Sequence, residues 1–159
     1  MKTNLLSSAD ILEVTGLTPK QLQIWCEVGV VQPQGGNGRG DHRRFTVMQT
    51  LALSYARLWS MSGATTPLLR SVVEFITGFT EDELLAEFKA GRKLLIVVPG
   101  GKASLQKPRK NDPFDYWLLD IEQQYKRVLE LIEEIENRPH RNVRGRSRGL
   151  ITNEVAMTA

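Results

Sequence analysis

Apolar residues along the first eighty positions come in short bursts at helical spacing, each bounded by a capping residue and a glycine. Ile11, Leu12 and Val14 follow Ser7-Ser8 and precede Gly16, which predicts a short helix with a serine cap and a glycine stop. Thr18-Pro19 then reads as N-cap and first helical residue of KQLQIWCEV, which Gly29 ends. Val30 and Val31 are β-branched, and with Phe45 they predict the two sides of a small hairpin around QGGNGRGDHRRFT, Gln34 to Thr46. Thr46 caps a longer helix through Leu51, Tyr55, Leu58 and Trp59 to Gly63. Thr66-Pro67 opens another through Val72, Phe75 and Ile76 to Gly78.

The pattern changes after residue 78. EDELLAEFKAG predicts a short amphipathic helix, and LLIVV, Leu94 to Val98, is an unbroken apolar run of strand length. Pro99-Gly100-Gly101 signals a turn, with ASLQ as the returning strand. KPRKNDP reads as a linker, and Asp112-Pro113 opens the last helix. In it Leu118, Ile121, Tyr125, Val128, Ile132 and Ile135 step by three and four residues, an a/d seam that predicts dimerisation through a coiled-coil-like helix. The alternative is that this stripe packs on the chain's own core. RPHRNVRGRSRG carries arginine and glycine without apolar periodicity and reads as a disordered basic tail. The expected organisation is a mainly α chain: a DNA-binding unit over 1–78, a small helix-plus-strand segment over 79–111, a dimerisation helix over 112–137, and the tail over 138–159.

Charge sharpens this division. Residues 1–78 carry seven Lys/Arg against five Asp/Glu, residues 79–137 nine against twelve, and residues 138–159 five against one. Basic ends around an acidic middle suit a polyanion partner. Cys26 is the only cysteine, and with His42 and His140 it offers no zinc spacing, so neither a disulfide, a metal nor a cofactor is expected. Carboxylate pairs such as Asp10 with Glu13 or Glu133 with Glu134 sit on surface helices, and no Ser, Cys or His triad is recognisable; the expectation is not an enzyme. No apolar run approaches a membrane span, and MKTNLLSSAD lacks the apolar stretch of a signal peptide. A cytoplasmic, nucleoid-associated protein is expected.

Two stretches are candidates for nucleic-acid contact. The second helix of a helix-turn-helix enters the major groove by its first turn, which would offer Thr18, Lys20, Gln21 and Gln23 to bases and phosphates. Glutamine pairs with adenine and lysine with guanine or phosphate. In the hairpin, Gly35, Gly36, Gly38 and Gly40 permit a tight turn and close backbone approach, while Arg39, His42, Arg43 and Arg44 supply donors and charge. Gly36-x-Gly38-x-Gly40 lacks the spacing and the βαβ setting of a dinucleotide fingerprint.

In the order of these elements, from about Ile11 to Ile76, the chain resembles the MerR family of winged-helix transcription regulators. The resemblance lies in LTPKQLQIWCEVGVVQP, in HRRFT, and in the helix pair divided by Gly63. It places Trp25 where an aromatic approaches the DNA backbone, and matches Arg43 and Phe45 to the wing's arginine and aromatic. The departures are Gln23 for an arginine, Cys26 for an acid, and Leu12 where a helix-turn-helix has alanine. The LLIVV unit also lies outside the common pattern. The resemblance implies a homodimer on a pseudo-palindromic promoter site, distorting it for RNA polymerase, with an effector region after the DNA-binding part. Two other readings are open: an excisionase-like or chromosome-organising factor that bends DNA, and an interaction adaptor whose arginine-rich tail binds RNA or protein.

Overall fold

The computed structural model describes residues 5–36, 42–98, 102–108 and 120–139. The protein is mainly helical, with small antiparallel sheets. In chain order the elements are β1 (Leu6–Ser7), α1 (Ser8–Thr15), α2 (Pro19–Glu27), β2 (Arg44–Phe45), α3 (Val47–Met61), α4 (Thr66–Thr77), α5 (Glu81–Lys89), β3 (Leu94–Val98), β4 (Lys102–Gln106) and α6 (Ile121–Glu136).

Four of the helices start with the same local device. Ser7 with Asp10, Thr18 with Gln21, Thr46 with Gln49 and Thr80 with Glu83 each form a capping box, the hydroxyl accepting from the third backbone N–H and the longer side chain accepting from the cap's own N–H. Each cap is worth about 1 kcal/mol. Polar residues therefore set the helix starts, and apolar spacing selects the buried faces. At α4 the cap is Thr65, one residue earlier than expected, and it makes no side-chain cap bond; Thr66 and Pro67 are the first two helical residues.

The core is built around α3. Every residue from Thr50 to Ala56 is buried, and α1, α4 and α6 all pack against this helix. One continuous apolar cluster joins Ile11 and Val14 of α1, Leu22 and Trp25 of α2, and Leu69, Val72 and Ile76 of α4 to Leu84 of α5, Leu95 of β3, and Ile121, Tyr125, Val128 and Ile132 of α6. It crosses both expected segment boundaries, at 78 and at 111. The later segments thus complete the core of the first.

Three expectations need correction. First, Val30 and Val31 form no strand. Both their N–H groups donate to the Trp25 carbonyl, at 2.8 and 3.4 Å, closing the end of α2 and leaving those amides unable to join a ladder. Arg44 instead exchanges backbone bonds with Gln34, at 2.9 and 2.8 Å, and β2 pairs with β1 in the register Leu6–Phe45 and Ser7–Arg44. The amino-terminal strand β1 has no counterpart in the apolar pattern of the sequence.

Second, the a/d seam faces inward. Ile121, Tyr125, Val128 and Ile132 are buried within the single chain and Ile135 is half-buried against the same core, because α6 lies across α1 and α3. Leu118 lies outside the described residues. An amphipathic helix buries its stripe on the nearest apolar surface, and here that surface is its own chain's. Third, α6 starts at Ile121 behind an extended Asp120, whereas Asp112 and Pro113, where the sequence places the start of the last helix, lie outside the described residues. Asp120 caps it, accepting from the Glu122 and Gln123 N–H groups, and Lys93 bridges Asp120 and Glu122 at 3.6 and 3.5 Å.

The expected hairpin after residue 93 is present as β3 and β4, paired from Leu94–Gln106 to Val98–Lys102. Among the described residues, no helix is long and apolar enough to cross a membrane.

Candidate nucleic-acid interface

The amphipathicity of α2 is carried by two residues. Leu22 and Trp25 turn into the core, and the opposite face, with Lys20, Gln21, Gln23, Ile24, Glu27 and Val28 at its end, is exposed. The helix is held from both ends: the Thr18 capping box fixes its start, and the Arg70 guanidinium of α4 donates to the Val28 carbonyl at its finish, at 2.7 Å. An exposed face on a firmly held helix suits recognition, since little side-chain and backbone freedom is left to lose on docking.

The candidate residues on this face divide by what they have left to offer. Lys20 is exposed and has no ion-pair partner among the described residues, so its ammonium is free for a ligand. Thr18 and Gln21 are engaged with each other: Gln21 Oε1 accepts from Thr18 N at 3.0 Å and from Thr18 Oγ1 at 3.2 Å. Gln23 Nε2 donates to Glu27 Oε1 at 2.8 Å. Reading adenine with a glutamine needs both its oxygen and its nitrogen. Each glutamine has one of the two occupied, so such reading requires it to give up a bond first.

Trp25 is not part of this face. It is 8% exposed and packed in the core, contrary to the position the family resemblance gave it. Sequence reasoning missed the apolar pair that replaces it: Ile24 and Val28, one helical turn apart and each 42% exposed. Their i, i+4 spacing places Ile24 and Val28 together on one strip of the helix surface, on the same side as Lys20.

The hairpin residues lie beside α2. Alternation along β2 turns Phe45 fully inward and leaves Arg44 exposed. Gly35 and Gly36 both have positive φ, 71° and 87°, and a β-carbon on Gly36 would fall 2.5 Å from Arg43 Cγ. The missing side chain is thus what lets the Arg43 stem lie over the turn. Arg43 also reaches α2 electrostatically: burial raises the Cys26 thiol's pKa, and the nearby Arg43 charge opposes the shift. A half-buried thiol with a raised pKa stays protonated and serves packing rather than chemistry. His42 is exposed; neither it, Arg43 nor Arg44 makes an ion pair among the described residues. Arg39 lies outside them.

Several cations elsewhere are already spent. Arg92 pairs with Glu87, Lys126 with Glu122 at 3.0 Å, Lys93 with Asp120 and Glu122, and Arg138, at the start of the expected tail, with Glu13 of α1. No protein-family model matches this chain, and no curated protein matches it in sequence.

Proposed function

We propose that the protein is a sequence-specific DNA-binding transcription regulator that inserts α2 in the major groove and sets the segment around His42, Arg43 and Arg44 against the flanking backbone. The supporting observation is a grouping: Lys20, Arg43 and Arg44, none with an ion-pair partner among the described residues, lie on or beside one exposed helix face that also carries Ile24 and Val28. Guanidiniums there bind phosphates and fix register, and base discrimination falls to the exposed face of α2. On that face Ile24 and Val28 suit the 5-methyl group of thymine, the one apolar feature of the major groove. A MerR-like winged helix-turn-helix is the form of this reading that the element order supports. Two copies on a pseudo-palindromic site belong to it as well, with their contact outside the buried stripe of α6, where Leu129 at its edge is partly exposed.

The test is selection of bound sites from a random duplex pool at physiological salt, with an Arg43→Ala/Arg44→Ala variant in parallel. The expected result is an enriched motif containing thymine steps, arranged as an inverted repeat if two copies bind, that the variant fails to enrich. Equal, motif-free binding by both proteins would remove the regulator reading in favour of the architectural or tail-driven alternatives.

A further inference from the structure

A cleft of about 230 Å³ opens between α1, α3 and α6, lined by Val14, Thr15, Ser54, Arg57, Leu58, Gln123, Gln124 and Arg127. Its chemistry is one-sided. Arg57 comes from α3 and Arg127 from α6, neither has an ion-pair partner among the described residues, and no carboxylate is among the described lining residues. This is unusual for α6, whose other cation, Lys126, is paired to Glu122 on its own helix.

The remaining polar groups complete a donor set. Thr15 Oγ1 donates to the Ile11 carbonyl at 2.6 Å and Ser54 Oγ to the Thr50 carbonyl at 3.0 Å, so both hydroxyl protons are committed to their own helices. The Gln123 and Gln124 side-chain amides have no partner among the described residues and are free to donate. Two guanidiniums and two amides on converging walls present more N–H groups than one carboxylate can accept, whereas a phosphate group can accept most of them. The volume is below the roughly 300 Å³ at which pockets for drug-sized ligands begin, which favours a small anion.

We propose that this cleft binds a phosphate group, held between Arg57 and Arg127. The site touches the helix junction directly: a β-carbon on Gly16 would lie 3.1 Å from Arg57 Cζ, so the guanidinium rests on the residue that ends α1, immediately before the turn into the cap of α2. Anything that moves Arg57 is felt at that turn. Phosphate binding is independent of whether α2 reads DNA, and it places a ligand site in the surface cleft where α6 meets α1 and α3.

The experiment titrates the full chain with inorganic phosphate and pyrophosphate at constant ionic strength, with chloride as the control anion. Affinity is followed by calorimetry and the Gly16 amide by ¹H–¹⁵N NMR. Saturable binding with a Gly16 shift is expected, weakened at least tenfold in Arg57→Gln and in Arg127→Gln and retained in Lys89→Gln, which lies on the exposed side of α5. Circular dichroism verifies that each variant is folded. Absence of saturable binding, or binding that survives both arginine substitutions, overturns the proposal. A second arm separates the sources of the phosphate. If duplex DNA displaces the bound anion and Arg57→Gln lowers the salt dependence of DNA binding, the group is a DNA backbone phosphate; if DNA and anion bind together, it belongs to a free ligand.

Discussion

Two amphipathic helices of similar sequence appearance, α2 and α6, end in opposite situations. In α6 the apolar stripe is consumed by the chain itself, with Ile121, Tyr125, Val128 and Ile132 against α1 and α3, and its polar face is tied down by the Lys126–Glu122 pair and by Lys93. In α2 the core takes only Leu22 and Trp25, while Ile24 and Val28 remain in water on the same exposed side as Lys20. Burial of a stripe is sufficient reason for its existence. Exposure of an apolar pair on a capped and clamped helix asks for another reason, and docking of a partner supplies one.

The sharpest way to break this comparison is to truncate one apolar residue on each helix. Ile132→Ala should destabilise the protein by about 2–5 kcal/mol, the usual range for a buried large-to-small change, while Ile24→Ala stays within about 0.5 kcal/mol. Urea denaturation read by circular dichroism measures both. Any dependence of the midpoint on protein concentration should persist in Ile132→Ala, because the α6 stripe is satisfied within one chain. A midpoint that rises with concentration and no longer does so in Ile132→Ala would return the seam to a dimer interface.

The next effect lies in DNA binding. Removing one cation that neutralises a phosphate should reduce the slope of log affinity against log salt by about 0.9. Arg43→Ala and Arg44→Ala are each expected to lower the slope by about that amount, and Lys126→Ala to leave it unchanged, since that lysine is already paired within α6. Fluorescence anisotropy across a salt series measures it. Equal slopes for all three would mean that the cations beside α2 are no better placed for phosphate than those on the acidic half of the molecule.

How much of this was legible in the sequence depended on whether the deciding interaction was local. The capping residues sit three positions from their partners, so helix starts at Ser7, Thr18 and Thr46 follow from local sequence, and the β3–β4 hairpin follows from an apolar run, a turn signal and a return. Choices between two satisfactory long-range partners were not legible. The stripe on α6 fits a second copy or its own core equally well on periodicity, and only the packing of α6 on α1 and α3 decides. The pairing of β1 with β2 depends on Leu6 meeting Phe45 from far along the chain, and no two-residue strand announces itself. In the candidate interface the sequence picked out Lys20, Arg43 and Arg44 by type and position. It misjudged Trp25, because an aromatic on a short amphipathic helix can face either way, and it overlooked Ile24 because isoleucine on a short helix reads as core.

Ile24 gives the third and more specific prediction. Once a site has been selected, replacing its thymines one at a time by deoxyuridine removes a single methyl from the major groove and leaves every hydrogen-bonding group in place. One buried methyl is worth about 0.8 kcal/mol, so the sensitive position should weaken binding about fourfold. The Ile24→Ala protein should be indifferent to the same replacement. A double-mutant cycle over protein and DNA isolates this coupling. Additive effects of the two changes would mean that Ile24 is exposed for some purpose other than reading thymine.

The last effect returns to α6 and tests how firmly it is held. Tyr125 donates its hydroxyl proton to Glu81 at 3.1 Å and stacks at a tilt against Phe88, with ring centroids 6.0 Å apart. Burial, reinforced by the Glu81 charge, pushes its pKa up to about 12. The unfolded value is about 10, so the folded chain holds this proton more tightly. The resulting stability is fully present below pH of about 10 and is lost as pH rises through the folded value. Tyr125→Phe should therefore cost about 1 kcal/mol at neutral pH by removing the hydrogen bond, and flatten the decline of stability above pH of about 10. If the decline is unchanged in Tyr125→Phe, the packing of α5 on α6 contributes little to the alkaline response, and Tyr55 is the tyrosine to replace next. Its hydroxyl is fully buried without a hydrogen-bond partner among the described residues, and burial raises its pKa, with the Asp120 charge adding to the shift.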